Sequence, residues 1–252
     1  MNLPELVLYL DSTLRTRELP DYSQAVNGLQ LANRKGAVTK VAAAVDATLP
    51  VVRKAIEAGA DLLIVHHGLF WNGLQPWTGA TFERMSLAME HGLAIYSAHL
   101  PLDAHAVLGN NAQIAQAMQL VPSGGFLDYK GLAVGVTCEA ELTLEDVVSR
   151  FTNALEGGRV HLCAGGPKVT RKIGISSGGS GSEVAAVAKA GVDTFITGEG
   201  PHWSYTLAEE LGINVLYGGH YATETFGVKA LAQQVQAQFG LPWVFVDHPT
   251  GL

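Results

Sequence analysis

Short apolar runs alternate with segments of helical periodicity through the first half of the chain. The predicted strands cover residues 41–45, 62–65 and 94–97. The predicted helices cover residues 50–58, 82–91 and 110–119, and a further amphipathic helix is predicted at the start of the sequence. This alternation is typical of βα units around a largely parallel sheet, so the sequence predicts the α/β class.

The same pattern begins again after residue 170. Residues 40–68 align with residues 172–200 without a gap, and residues 92–99 resemble residues 212–220. The matched pairs are Lys40 with Lys172, Gly59 with Gly191, Asp61 with Asp193, and Gly68 with Gly200. Two unrelated βα units can share such a turn, because Gly ends helices and Asp caps turns. A match over a whole β-α-β unit favours duplication instead.

A duplication predicts two related lobes. The clearest break in the pattern is the segment Pro-Ser-Gly-Gly at residues 122–125. We therefore predict a first α/β lobe at residues 1–123 and a second at residues 124–252, with mixed, mostly parallel sheets. In open α/β sheets reactive groups gather at the carboxyl ends of strands, so we expect side chains of the two lobes to meet across a cleft.

Composition excludes several classes of function. The chain has 252 residues, of which 48% are hydrophobic and 15% charged, which favours a compact globule over disorder. A net charge of −7 argues against non-specific binding of nucleic acid. No apolar run reaches the length of a membrane span, and the start lacks the features of a signal peptide, so a cytoplasmic location is expected. Cys138 and Cys163 lack metal-site spacing and are interpreted as buried thiols.

Adjacent histidines follow the second predicted strand. Along a regular strand, His66 and His67 would point to opposite faces, one into the core and one to the surface. If the strand instead breaks into a loop before Gly68, both imidazoles can reach one cavity. Both interpretations stay open from this pair alone.

A second pair of metal-ligand residues lies near the predicted helix at residues 221–230. His220 and Glu224 have i, i+4 spacing, which can chelate a divalent ion, although first-turn carboxylates are also common for electrostatic reasons. Asp103 follows the strand that ends near His99, where a turn or capping role is the alternative. Together with His66 and His67 these residues provide a mixed N/O ligand set at strand ends. Such a set suits zinc, iron, manganese or cobalt, and five ligands suit two ions better than one.

The chain resembles a known family through six motifs. They are DYSQAVNGLQ at residues 21–30, VHHGLFW at 65–71, HLPLDAH at 99–105, GNN at 109–111, TGE at 197–199 and GHYATE at 219–224. These motifs are similar to those of the Nif-three-like family, whose bacterial members are often labelled GTP cyclohydrolase 1 type 2 homologues. The resemblance covers almost the whole chain and is to the short bacterial form.

The resemblance implies two intertwined α/β lobes, a homo-hexamer and a centre of two divalent metal ions (zinc, iron or manganese). The ligands that it implies are His66, His67, Asp103, His220 and Glu224. Three further residues, Asp46, His99 and Glu199, lie in or near family motifs. Asp46 is interpreted as a hydrogen-bond partner of a ligand, and Glu199 and His99 as candidates for the catalytic group.

The family label suggests a metal-dependent hydrolase that opens the imidazole ring of a guanine nucleotide. A water that bridges two cations is acidified enough to attack as hydroxide. The alternatives are a protein that stores, delivers or senses metal without turnover, and a scaffold for partner proteins. The Gly-rich residues 178–181 are not followed by the GK[S/T] of a phosphate-binding loop, and we interpret them as a flexible connection rather than an anion-binding nest.

Overall fold

A computed structural model describes residues 1–73 and 75–252 of the protein. The strands in chain order are β1 (Gly28–Leu31), β2 (Val41–Asp46), β3 (Leu62–His67), β4 (Ala94–Ser97), β5 (Pro122–Tyr129), β6 (Leu132–Thr143), β7 (His161–Ala164), β8 (Val169–Ile175), β9 (Thr194–Thr197), β10 (Asn214–Tyr217) and β11 (Trp243–Phe245). The helices are α1 (Leu3–Leu14), α2 (Leu49–Glu57), α3 (Gly79–Glu90), α4 (Leu100–Asp103), α5 (Asn110–Ala117), α6 (Leu144–Ala154), α7 (Val184–Lys189), α8 (His202–Leu211) and α9 (His220–Phe239). A short 3-10 helix, Ser180–Glu183, precedes α7.

The described residues fall into two compact units. Unit 1 comprises Met1–Leu102 and Val228–His248, and unit 2 comprises Asp103–Gly227 and Pro249–Leu252. The chain therefore leaves unit 1, forms unit 2 and returns along α9. This division differs from the predicted boundary after residue 123, because Ile114 and Ala115 of α5 belong to a hydrophobic core of unit 2.

Unit 1 is built on a sheet with strand order β1-β4-β3-β2-β11. All pairs are parallel except β1 with β4. Strands β2 and β3 are buried almost throughout, as expected of central parallel strands that are covered on both faces. Helix α1 begins at a cap where Asn2 Oδ1 accepts from the Glu5 N–H at 3.3 Å, and its apolar residues Leu3, Leu6 and Leu10 are buried.

Unit 2 is built on a more mixed sheet with strand order β5-β6-β8-β9-β10-β7. Strands β8, β9 and β10 are parallel, whereas the pairs β5–β6, β6–β8 and β7–β10 are antiparallel. The segment at residues 122–125, interpreted from sequence as a break between lobes, begins β5 instead. The exposed residues at the start of β5 form no apolar run, so the sequence did not predict a strand there. Hydrogen bonds to β6 hold these residues in the extended conformation.

The predicted duplication is supported by hydrogen bonds that recur in both units. Lys40 Nζ donates to Ala58 O at 2.7 Å, and Lys172 Nζ donates to Ala190 O at 2.8 Å. The N–H of Asp61 donates to Lys40 O at 2.9 Å, as that of Asp193 does to Lys172 O at 3.0 Å. The equivalent βαβ segments thus share the same lysine side-chain contact and the same backbone hydrogen bond.

Within residues 1–73 and 75–252, every helix is too short or too polar to cross a bilayer.

Candidate metal centre

In unit 1, three histidines meet at the carboxyl ends of β3 and β4. His66 and His67 are the last residues of β3, and His99 follows β4 by two positions. All three are buried, and one ring nitrogen from each lies within 4.8 Å of the others. The group could therefore hold a metal ion with imidazole ligands.

Strand β3 extends through both histidines, so a loop before Gly68, one of the two interpretations of this pair, is not what brings the two rings together. His66 Nδ1 lies 3.0 Å from Ala98 O, and His67 Nδ1 lies 2.9 Å from Asp46 Oδ1. The two rings are thus held by the neighbouring strand ends on opposite sides of β3, and their centroids are 4.8 Å apart. If each Nδ1 carries the proton that it donates, the lone pair of each neutral ring is at Nε2.

His99 is held in the same way by a carboxylate from the start of the chain. Its Nδ1 lies 2.8 Å from Asp21 Oδ1, and Asp21 also accepts from the Leu100 N–H at 2.9 Å and Asn27 Nδ2 at 2.8 Å. Burial alone would raise the pKa of Asp21, but the hydrogen bond and charge of His99 and the further donors lower it overall. Asp21 is therefore a carboxylate that holds His99.

Trp71 packs against this histidine cluster. Its ring centroid lies 4.6 Å from that of His67 and 4.4 Å from that of His99. The indole therefore limits the positions that the two imidazoles can adopt. Trp71 and Asp21 both lie in motifs of the sequence, but their motif positions alone did not indicate these contacts.

The turn after β3 is fixed by Gln30. Its Oε1 accepts from the Leu69 N–H at 2.6 Å, and its Nε2 donates to Ala25 O at 3.0 Å. A Cβ at Gly68 would overlap the Gln30 amide, which explains the glycine directly after the histidine pair.

In unit 2, Asp103 is a buried carboxylate at the end of α4. Its Oδ1 accepts from Asn110 Nδ2 at 2.8 Å and from Ser177 Oγ at 3.2 Å. These donors come from the start of α5 and the loop after β8, so the carboxylate has a defined orientation. A buried, oriented carboxylate is suited to metal binding.

His220 and Glu224 lie on the first turn of α9, as their spacing predicted. His220 Nε2 is 3.2 Å from Glu224 Oε1, and its Nδ1 is 2.8 Å from Glu199 Oε1. Burial lowers the pKa of His220, but the hydrogen bonds and charges of Glu224 and Glu199 outweigh it and raise the pKa to about 9. Any metal that binds at Nε2 therefore displaces a proton at neutral pH.

The loop at Gly178 packs against the side chains of His220 and Glu224. Gly178 O accepts from the N–H groups of Gly198 at 3.0 Å and Glu199 at 2.9 Å, and its own N–H donates to Thr223 Oγ1 at 3.0 Å. The interpretation of this segment as a flexible connection was wrong, because its backbone is tied to β9 and α9. At Gly178 the φ angle is +62° and a Cβ would overlap Glu224 Oε1, so only glycine fits.

The structure thus places every candidate residue except Asp103 within or beside one of two groups of side chains that could bind metal. Unit 1 brings His66, His67 and His99 together, with Asp46 beside His67. Unit 2 brings His220, Glu224 and Glu199 together, and separately fixes Asp103. The residues that sequence reasoning missed are those that hold the donors: Asp21, Trp71, Ser177 and Gly178.

The fold and the site define the general class of protein: a two-sheet α/β protein with histidine and carboxylate groups that could hold a metal ion. The chain belongs to the Duf34/NIF3 (NGG1p interacting factor 3) family, whose model matches residues 1–250. It is 42% identical over 250 residues to a GTP cyclohydrolase 1 type 2 homolog of Deinococcus radiodurans, covering 98% of this chain and 94% of that protein. It is 40% identical to the protein of the same description from Archaeoglobus fulgidus, over the full length of both. A crystal structure from Thermus thermophilus superposes with a TM-score of 0.88 at 41% identity, covering both chains completely.

Proposed function

We propose that the protein is a metal-dependent hydrolase with a dinuclear centre. The proposed ligands are the three histidines His66, His67 and His220 and the two carboxylates Asp103 and Glu224. In this proposal, these five side chains bind two divalent ions. The mixed N/O donors suit zinc, iron or manganese.

One observation carries the proposal: each histidine donor is anchored at Nδ1. A carbonyl holds His66, and the carboxylates of Asp46 and Glu199 hold His67 and His220. Metal-bound histidines almost always donate their second ring N–H to a carboxylate, carbonyl or water. A histidine with only a packing role does not need this arrangement, and its recurrence at three positions favours metal binding.

The thiols do not enter this proposal. Cys138 and Cys163 are buried within separate hydrophobic cores of unit 2. Burial raises the pKa of the Cys138 thiol to about 11, which keeps it protonated. The donor chemistry of the proposed centre is therefore that of imidazole and carboxylate.

Two divalent ions, when bound, lower the pKa of a water molecule and polarise the electrophile. Asp46 and Glu199 would hold His67 and His220 in the required tautomer. We assign proton transfer to His99, because its ring lies beside those of His66 and His67 and it is not one of the five proposed ligands. Trp71 would exclude water from one side of the histidine cluster.

The proposed substrate is a guanine nucleotide whose imidazole ring is opened by attack of water at C8. Support comes from relatives described as GTP cyclohydrolase 1 type 2 homologs, at up to 42% identity over nearly the whole chain. We also propose a homo-hexamer, which the family resemblance implies.

The test is loss of the guanine chromophore when the metal-loaded protein is incubated with GTP, with and without chelator. Chelator-sensitive loss is expected, and His99→Asn should reduce the rate by roughly tenfold or more with unchanged metal content. Val107 is highly exposed, and Val107→Ala serves as a control that should change neither the rate nor the metal content. Full metal loading without turnover of any nucleotide would instead favour a protein that stores, delivers or senses metal.

A further inference from the structure

Unit 2 contains a large pocket that the proposed ligand set does not use. It encloses about 730 Å³ and lies between the loop before β7, the start of α8 and the turn that leads into α9. Pockets of roughly 300–1,000 Å³ are typical of small-molecule sites. The pocket is therefore large enough for a ligand of nucleotide size.

Aromatic rings form one side of this pocket. The His161 ring centroid lies 5.6 Å from that of Tyr205 and 6.2 Å from that of Tyr217. The Tyr217 hydroxyl is hydrogen-bonded to Ser204 Oγ at 2.8 Å, which fixes this ring. Such rings bury a flat aromatic ligand by stacking or edge contacts.

A cation lies at the same pocket. Arg159 is exposed and lines the cavity, and among residues 1–73 and 75–252 no carboxylate forms an ion pair with it. A guanidinium binds carboxylate or phosphate groups through two parallel hydrogen bonds. In a chain with a net charge of −7, an arginine beside aromatic rings favours an anionic ligand at this particular place.

Glu199 connects the pocket to the donor pair of unit 2. Its side chain holds His220 Nδ1 at 2.8 Å, and the same residue lines the cavity. Gly198 and Gly219, which flank these residues in the chain, also line it and let a ligand approach the backbone. A molecule in the pocket would therefore lie next to the group that orients a proposed metal ligand.

We propose that this pocket binds an aromatic ring compound that carries a phosphate or carboxylate group. The ring contacts Tyr205, Tyr217 and His161, and the anionic group pairs with Arg159. Binding itself requires no metal. The role of the pocket as the substrate site of the hydrolase rests on the proposed function.

The test is calorimetric titration of the full-length protein, both metal-free and metal-loaded, with four probes. Guanosine 5′-monophosphate and indole-3-propionate carry a ring with a phosphate or a carboxylate, whereas guanosine and ribose 5-phosphate carry only one of the two features. The first two are the complete probes, because each carries both a ring and an anionic group. At least one of the complete probes should bind ten times more tightly than guanosine or ribose 5-phosphate. The stronger of the two complete probes identifies the anionic group.

Two variants locate the binding, each with a matched control. Arg159→Gln should weaken the affinity for the complete probe at least tenfold and leave the affinity for guanosine unchanged. Arg171 is an exposed arginine outside the pocket, and Arg171→Gln should change neither affinity. Tyr205→Leu should weaken ring-bearing probes, and Tyr205→Phe should retain their affinity. Thermal unfolding of each variant checks that the fold is intact.

Several results would overturn the inference. They are absence of binding by both complete probes, binding that Arg159→Gln does not weaken, or a change in sedimentation of Arg159→Gln that marks this face as a contact between copies. Failure of the proposed function looks different. In that case the metal-free protein binds the probe through Arg159, but the metal-loaded protein turns over no nucleotide.

Discussion

At the scale of single residues, the donor side chains are fixed before any ligand arrives. His67 and His220 are each held by a carboxylate at Nδ1, at 2.9 and 2.8 Å, and His66 by a carbonyl at 3.0 Å. A donor that is already oriented loses less conformational freedom when it binds an ion. Preorganisation of this kind favours tight metal binding.

Gly178 gives a test of the donor pair that changes no donor. In Gly178→Ala the new methyl group would overlap Glu224 Oε1 and lie 3.3 Å from His220 Nε2. We expect the metal affinity of this pair to fall by about tenfold to a hundredfold, the range found when groups supporting a ligand are altered. The measurement is competition with a chromogenic chelator.

The neighbouring glycine provides the control for that variant. A Cβ at Gly179 meets His220 Cε1 at 3.7 Å, an ordinary contact, so Gly179→Ala should keep the affinity of the wild type. Equal affinities in the two variants would show that the Gly178 loop does not shape the metal site.

The sequence predicted local proximity of side chains better than it predicted long-range hydrogen-bond partners. His220 and Glu224 share one helical turn, so their proximity follows from i, i+4 spacing alone. Asp21 and His99 are 78 positions apart, and only the tertiary fold brings them together. Contacts of this kind cannot be read from local patterns, even though both residues lie in family motifs.

At the scale of elements, the βαβ repeat was predictable because its strands are continuous buried runs. Strands β2 and β3 and helix α2 lie within two residues of their predicted bounds. The β5–β6 hairpin was missed, because Pro122 and the glycines after it suggested a break. Hydrogen bonds between strands override such local preferences.

Gly68 and Gln30 meet at the turn after β3, and their contributions to the free energy of unfolding should be coupled. Gly68→Ala would displace the Gln30 amide, and Gln30→Ala would remove its bonds to Leu69 N–H and Ala25 O. Each change should lower the free energy of unfolding by about 1–3 kcal/mol. Because both act on one contact, the double variant should lose much less than the sum, as measured by urea unfolding. Full additivity would contradict the assigned role of Gln30.

The turn at Asp61 should make stability depend on pH. Burial would raise the pKa of Asp61, but hydrogen bonds from Lys35 and Thr39 and the charge of Lys35 lower it overall. The folded pKa thus lies below the ordinary value of 3.8, so the stabilisation is present above about pH 4 and is lost as pH falls through the folded pKa.

The corresponding variant is Asp61→Asn. It should lower the free energy of unfolding by about 1 kcal/mol at pH 7, because an amide is a weaker acceptor for these donors. The difference from the wild type should shrink as the pH falls below about 4. Denaturant titrations at pH 7 and at pH 3 measure it, and a difference that does not shrink at pH 3 would refute the ionised pairing.

At the scale of the whole molecule, the chain forms unit 1, then unit 2, and returns to unit 1 along α9. The sequence predicted two duplicated α/β halves, and matching hydrogen bonds at Lys40 and Lys172 support that prediction. The return of α9 and β11 to unit 1 did not follow from periodicity. The hydrophobic pattern of a strand near the end of the chain does not specify which sheet it joins.

The central proposal is that one chain binds two divalent ions through the histidine and carboxylate ligands named above. The most direct measurement is elemental analysis of purified protein after saturation with zinc and removal of unbound ions. We expect two ions per chain, fewer than two in Glu224→Gln, and two in the control Glu139→Gln, whose side chain is exposed on β6. One ion or none in the wild type, or two ions retained in Glu224→Gln, would contradict it.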